Sequence, residues 1–157
     1  MADKATGSLS ASVFLDDIKS TMSGSSIYEP KDANDKWIFA EIAVGNSSGD
    51  LVAALDFLGS VTTITASDKP HWIAIKNIST TSSDGIVVCL DAGTAIWNLV
   101  DGIIIGAGEM LILKPSYATI GDIHAISVTL DGTYGHTTGV HAGTVTCQVA
   151  AILDDVA

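Results

Sequence analysis

The sequence predicts an all-β protein: an antiparallel β-sandwich or jelly roll of about eight strands, preceded by an N-terminal arm or short helix. Three observations support this prediction. Apolar residues alternate with polar ones at a period of two from Trp37 onward. Short apolar runs are separated by Asp-Gly and Gly-rich turn signals. Hydrophobic residues make up 47% of the chain and charged residues only 16%, which favours a large core and further apolar surface.

The predicted strands are short and evenly spaced. In "HWIAIKNI" (71–78), Ile73 and Ile75 share one face and Trp72 and Ala74 the other. We expect Ile104 to face the core. Only "DLVAALDFL" (50–58) could add a helix to this region. The eight predicted strands cover residues 37–44, 61–65, 71–78, 85–90, 102–105, 109–114, 123–130 and 143–152.

Residues 1–36 differ in composition from the rest, so we divide the chain into an N-terminal segment (1–36) and a β-sandwich domain (37–157). Apolar residues at roughly helical spacing, with Asp16 and Asp17 between them, indicate a short amphipathic helix or an ordered arm, and an unstructured tail is the alternative. We expect this segment to make assembly contacts. The candidate contact residues are Leu9, Val13, Phe14, Ile18, Met22, Ile27 and Tyr28.

The net charge is −11, and all seven cationic residues are lysines. A chain this acidic, without arginine, is not expected to bind nucleic acid, because phosphates would be repelled. No apolar run approaches the roughly 20 residues of a membrane span, so we expect no membrane partner. The N-terminus lacks the pattern of a signal peptide, which predicts synthesis in the cytoplasm with Cys89 and Cys147 reduced and buried.

Two stretches mimic enzyme signatures. Gly45 to Gly49, "GNSSG", fits the G-x-S-x-G pattern of a serine hydrolase, with His124, His136 or His141 as partners of Ser47. That chemistry requires a strand–turn–helix elbow on a mostly parallel sheet, which the predicted antiparallel array does not supply. "GAGEML" (106–111) starts like a dinucleotide fingerprint, but Leu replaces its third glycine. We therefore predict a protein without catalytic residues and without a cofactor.

Metal binding is likewise not expected. His136 and His141 are five residues apart in a glycine-rich loop, without a defined ligand geometry. Aspartates at turns could suggest calcium, but the alternating Asp pattern with a closing Glu is missing. We expect these side chains to hydrogen-bond the backbone two residues on. The aspartates concerned are Asp84, Asp91, Asp101, Asp122 and Asp131.

One region carries a family resemblance. Trp72 to Asn77 ("WIAIKN"), Gly108-Glu109, Leu113-Lys114 and Ile123 to Ile126 ("IHAI") resemble segments of tailed-bacteriophage virion proteins. The resemblance implies a non-enzymatic β-sandwich or jelly-roll subunit of a phage particle, such as a capsid cement (decoration) protein. It also implies a virion location. The expected partners are further copies of the chain, in a homo-oligomer that we expect to be a trimer, and the major capsid protein or other virion proteins.

Two alternatives stay open at the level of sequence. The subunit could belong to the phage tail or to the head–tail connector. It could also be a carbohydrate-binding or adhesin module on the same scaffold, in which aromatic rings stack on sugars. The candidate aromatic residues are Trp72, Trp97, Tyr117 and Tyr134.

Overall fold

The computed structural model describes residues 5–15, 18–29, 35–51, 65–91, 93–115, 118–133 and 135–154. These residues form β-strands joined by turns and one short 3₁₀ turn, Ile120–Asp122. The strands are β1 (Ala5–Leu15), β2 (Ile18–Tyr28), β3 (Lys36–Val44), β4 (Gly49–Asp50), β5 (Lys69–Asn77), β6 (Asp84–Cys89), β7 (Ile103–Ile105), β8 (Met110–Leu113), β9 (His124–Leu130), β10 (Thr137–Val140) and β11 (Val145–Asp154).

The chain divides into two compact units, residues 1–33 and residues 34–157. The first unit contains a two-stranded antiparallel sheet of β1 and β2, with a register that runs from Ala5 opposite Tyr28 to Leu15 opposite Ile18. The prediction of a short helix here is therefore wrong. The segment forms strands because of its composition, since both strands are rich in Ser, Thr and Gly, which are poor helix formers.

The second unit contains two antiparallel sheets. Sheet I has the strand order β3-β11-β5-β8, and sheet II has the order β10-β9-β6-β7, with β4 also paired to β9. When β10 is set aside and the remaining eight strands are lettered B to I in chain order, sheet I reads B-I-D-G and sheet II reads C-H-E-F. That is the strand order of a jelly roll, and it confirms the predicted fold class.

The main core lies between the two sheets. Alternate residues of β5 and β11 point inward from sheet I, and apolar residues of β6, β7 and β9 meet them from sheet II. This burial supplies the main driving force for folding. The central members, each at most 2% exposed, are Ile73, Ile75, Val149, Ala151, Ile86, Val88, Ile105 and Ala125.

A smaller cluster covers the other face of sheet II. Ala95 and Leu99, in the loop between β6 and β7, pack against residues of β6 and β9 that include Val87 and Val128. Ile105 is 2% exposed, whereas its neighbour Ile104 is 39% exposed. The expectation that Ile104 faces the core is wrong by one position, because alternation along a strand sends neighbouring side chains to opposite faces.

Most predicted strands are confirmed within one or two residues, and β1, β2, β4 and β10 were not predicted. β10 shows that the glycine-rich stretch 131–143 is partly a strand paired with β9. The predicted strand 61–65 lies almost wholly outside the described residues. Of the possible helix at 50–58, Asp50 belongs to β4 and Leu51 to a turn, and the rest lies outside them.

Two of the segments singled out in the sequence, Trp72 to Asn77 and Gly108-Glu109, contact each other. The Asn77 N–H donates to the carbonyl of Glu109 at 3.0 Å, and the Gly108 N–H donates to the carbonyl of Asn77 at 3.0 Å. Gly108 has a φ of 75°, which favours glycine. The Glu109 carboxylate accepts the N–H of Gly106 at 2.7 Å, closing the turn between β7 and β8. These motif residues therefore hold a turn against the end of β5.

Candidate interaction surfaces

The outer face of sheet I carries an apolar row that crosses all four strands. Phe39 lies opposite Ala150, Ala150 lies opposite Ala74, and Ala74 lies opposite Ile112. The Phe39 side chain is 42% exposed, and the other three are partly exposed. A continuous row of this kind is typical of a surface that contacts another protein. We call these four residues the apolar row.

The next row on the same face is largely polar. Glu41, Gln148 and Lys76 follow one another across β3, β11 and β5, and the Gln148 side-chain amide donates to the Glu41 carboxylate at 2.9 Å. Met110, 46% exposed, ends this row on β8. The apolar row is thus bordered by polar groups on this side, whereas Ile152 and Trp72, in the next row on the other side, are buried.

The loop between β6 and β7 exposes a second apolar group. While Ala95 and Leu99 are directed onto sheet II, Ile96, Trp97 and Val100 are 43%, 38% and 102% exposed. Of the four aromatic residues proposed for sugar stacking, Trp72 is only 7% exposed and is too buried to stack on a sugar ring. Tyr117 and Tyr134 lie outside the described residues. Trp97 is therefore the described residue of that set that presents its ring to solvent.

The N-terminal hairpin also exposes apolar side chains. Met22 is 63% exposed and Ile27 is 59% exposed, both on β2. The other candidate assembly residues lie within β1 or β2 at defined register positions, and their side chains lie outside the described set. The register places Leu9 opposite Gly24, Val13 opposite Ser20, Phe14 opposite Lys19, Ile18 opposite Leu15 and Tyr28 opposite Ala5.

Ser47 lies in a loop that does not have the geometry of a nucleophile elbow. It follows β3, as predicted, but β4 comes next and pairs antiparallel with β9, so no helix begins at this turn. Ser47 lines a cavity of about 80 Å³, and the described residues of its walls include no His, Asp or Glu. Its neighbour Ser48 has a bonding role, because the Ser48 hydroxyl accepts the Ala95 N–H at 3.0 Å.

A Ser–Asp–His arrangement occurs elsewhere, in the wrong order for catalysis. The Ser79 hydroxyl donates to Asp84 Oδ2 at 2.7 Å, and His141 Nε2 lies 3.3 Å from Asp84 Oδ1. In a hydrolytic triad the histidine lies between the serine and the carboxylate, where it can take the serine proton. Here the carboxylate lies between them, so the contacts tie the end of β10 to the start of β6 without activating Ser79.

Asp91 and Asp131, two of the five turn aspartates, bond the backbone two residues on, as expected. Asp91 Oδ1 accepts the Gly93 N–H at 3.1 Å, and Asp131 Oδ1 accepts the Thr133 N–H at 2.9 Å. These contacts confirm the turn interpretation at both positions. Asp122 accepts the N–H and hydroxyl of Thr119, at 2.7 and 2.9 Å.

Both cysteines are free and buried, as predicted. Burial raises the pKa of the Cys147 thiol to about 12. The pKa of Cys89 is also raised, first by burial and then by the hydrogen bond that its thiol donates to Asp91 at 2.7 Å. The same bond and the N–H of Gly93 lower the pKa of Asp91. Thiols held in the protonated form are poor nucleophiles and poor metal ligands.

Sequence reasoning missed one cluster of metal-type donors. Asp35, His71 and Asp154 come together at one end of sheet I, with neither His136 nor His141 among them. His71 is the first residue of the predicted strand 71–78, and Asp35 and Asp154 are far apart in the sequence. His71 lies beside Pro70, which cannot donate a hydrogen bond to a neighbouring strand. Pro70 is the local signal in the sequence that the strand is irregular there.

No protein-family model matches the chain, and comparison with curated proteins and with solved structures likewise yields no significant match. Within the described ranges, no helix is long and apolar enough to cross a membrane.

Proposed function

We propose that this protein is a non-enzymatic structural subunit of a tailed-bacteriophage particle, a capsid cement (decoration) protein that stabilises the shell through contacts between subunits. The observation that carries the proposal is the apolar row on the outer face of sheet I, with Phe39 42% exposed at its edge. Burying exposed apolar area between subunits is the main favourable term in protein association.

The strand order supports the proposal by analogy. Jelly rolls occur in viral capsid domains, and a fold alone does not define a function. The resemblance of residues 72–77 and 108–109 to phage virion proteins points in the same direction, and in this chain those residues form one structural corner through Asn77 and Gly108. These hydrogen bonds hold the turn between β7 and β8 rigidly against the end of β5. A structural role requires such rigidity and does not require a reactive group there.

The N-terminal hairpin is the second element of the proposal. A two-stranded sheet is at best marginally stable in water by itself, so its strands gain stability from a further surface. Met22 and Ile27 are five positions apart on β2 and supply exposed apolar area on opposite faces of the hairpin, so each face can take part in such a contact. We assign the hairpin to contacts with a neighbouring subunit in a homo-oligomer, a trimer in the simplest case, or with the major capsid protein.

A cement protein acts by mass action. Each copy that binds the assembled shell, and not its separated parts, lowers the free energy of the shell. The strong net charge of −11 keeps the free subunit soluble while its apolar row is exposed. We expect the subunit to bind to many symmetric sites, which a closed shell provides.

Immunogold electron microscopy tests the proposal. Antibody against the purified protein is applied to phage particles released from cells that carry its gene. Regular labelling of the capsid surface is the expected result. Labelling confined to the tail or to the head–tail connector would replace the cement assignment with a tail or connector one. Unlabelled particles from cells that make the protein would refute the virion assignment.

A further inference from the structure

Three side chains of metal-ligand type meet at one end of sheet I. Asp35 lies one residue before β3, His71 lies in β5, and Asp154 ends β11. One ligand atom from each lies within 4.8 Å of the others, and His71 Nε2 is 3.8 Å from Asp154 Oδ2. All three residues are partly buried. We call these residues the Asp–His–Asp cluster.

The sheet register explains how they meet. β11 pairs with β3 up to Leu153 opposite Lys36, so the next positions along the two strands are Asp154 and Asp35. On the other side of β11, Ile152 lies opposite Trp72, but Leu153 lies opposite Pro70. His71 is therefore the extra residue of a β-bulge, and a bulge re-aims a side chain that regular alternation would send to the other face.

The charges in the cluster favour a cation. Two carboxylates within 4.8 Å repel each other, and a bound divalent ion would remove that repulsion. Lys69 lies opposite Asp154 in the register. A single partly exposed ion pair contributes little, whereas a metal ion engages all three donors at once.

We propose that the Asp–His–Asp cluster binds one divalent transition-metal ion, with zinc as the best-fitting member of that class. The donors are one imidazole nitrogen and two carboxylate oxygens, a set that suits zinc and disfavours calcium and magnesium, which prefer oxygen ligands alone. Three protein ligands leave a position for water or for a donor from another molecule. The ion ties the start of β3, the bulge of β5 and the end of β11 together.

Isothermal titration calorimetry with zinc chloride on the full-length, metal-stripped protein tests the site. The expected result is one zinc ion per chain, a higher melting temperature with zinc, and no comparable effect of magnesium. His71→Ala and Asp154→Asn each remove one ligand and are expected to weaken zinc binding more than tenfold. The matched control is His136→Ala, which removes an exposed imidazole outside the cluster and is expected to leave the affinity unchanged.

Cobalt supplies a second readout. Cobalt bound to the wild type is expected to give visible absorption bands that His71→Ala abolishes. If His71→Ala does not fold, the partly exposed and nearly isosteric Asp154→Asn decides the outcome. Absence of zinc binding by the wild type would overturn the proposal. So would zinc affinity that both ligand variants retain, or that His136→Ala reduces as much as they do.

Discussion

The side-chain amide of Asn77 donates a hydrogen bond of 3.2 Å to the backbone carbonyl of Ile105. Asn77 ends β5 in sheet I and Ile105 ends β7 in sheet II, so this contact joins the two layers of the sandwich at one end. The same amide donates to the carbonyl of Asp84 at 3.0 Å, and its oxygen accepts the Ser79 N–H at 3.0 Å. Asn77 is fully buried, and these partners satisfy its polar atoms.

Asn77→Ala is expected to lower the free energy of unfolding by about 3 kcal/mol, because it removes three hydrogen bonds in a site that excludes water. Urea denaturation followed by tryptophan fluorescence measures the loss. Asn98→Ala, which removes an exposed asparagine amide from the loop between β6 and β7, is the control and should change stability by less than about 0.5 kcal/mol. Equal effects of the two variants would contradict a bridging role for Asn77.

Asn77 also shows which parts of the fold the sequence alone predicts and which it does not. The alternation in "HWIAIKNI" predicts β5 and its inward residues Ile73 and Ile75, because a period of two is a local property. The hydrogen bonds from Asn77 to β6 and β7 depend on which strands become neighbours. A single sequence does not reveal which strands those are. β1 was misread for a different reason. Its alternate residues from Ala5 to Leu15 are all apolar or glycine, yet some of them also fit a helical period.

Ile104 and Ile105 provide a paired test of the strand face. Ile105→Asp places a carboxylate among buried apolar residues and is expected to cost more than about 3 kcal/mol. Ile104→Asp, at a side chain 39% exposed, is expected to cost about 1 kcal/mol. Thermal unfolding of both variants measures the difference. A larger loss for Ile104→Asp would mean that β7 faces the other way.

The candidate metal cluster was beyond sequence reasoning for a physical reason. Asp35 and Asp154 are brought together by the pairing of β3 with β11, the first and last strands of the second unit. His71 joins them through a one-residue shift in register, and such a shift reverses the face of a side chain. Sequence periodicity alone assigned His71 to a regular strand. Pro70 indicated an irregular strand at this position, but it did not indicate where the His71 side chain would point.

Cys147 should make stability depend on pH in alkaline solution. The pKa of its thiol rises from an ordinary 9.0 to about 12 in the folded protein. Between those values the unfolded chain loses the thiol proton and the folded chain keeps it, so stability falls as the pH rises, by up to about 1.4 kcal/mol per pH unit. Urea denaturation from pH 8 to 11 measures the slope. Cys147→Ala should flatten it, and an unchanged slope would contradict the assignment.

The hairpin is expected to contribute to association. A variant with both Met22→Ser and Ile27→Ser loses the exposed apolar side chains of β2 and should shift the protein toward a smaller assembly, because less apolar area is buried on contact. Analytical ultracentrifugation measures the mass. The control variant, Ser8→Ala with Ser25→Ala, changes two exposed hairpin side chains without removing apolar area. Identical masses for all three proteins would exclude the hairpin from the contact.

The apolar row gives the sharpest test of association. Phe39→Asp places a charge on the row, and burying an unpaired charge at a subunit contact is costly, so the proposed homo-oligomer should dissociate toward the monomer mass of 16.1 kDa. The matched control is Val140→Asp, at a side chain 43% exposed on β10 in sheet II, compared with 42% for Phe39. Light scattering coupled to size-exclusion chromatography compares the two. If Val140→Asp dissociates the oligomer and Phe39→Asp does not, the contact surface lies on sheet II.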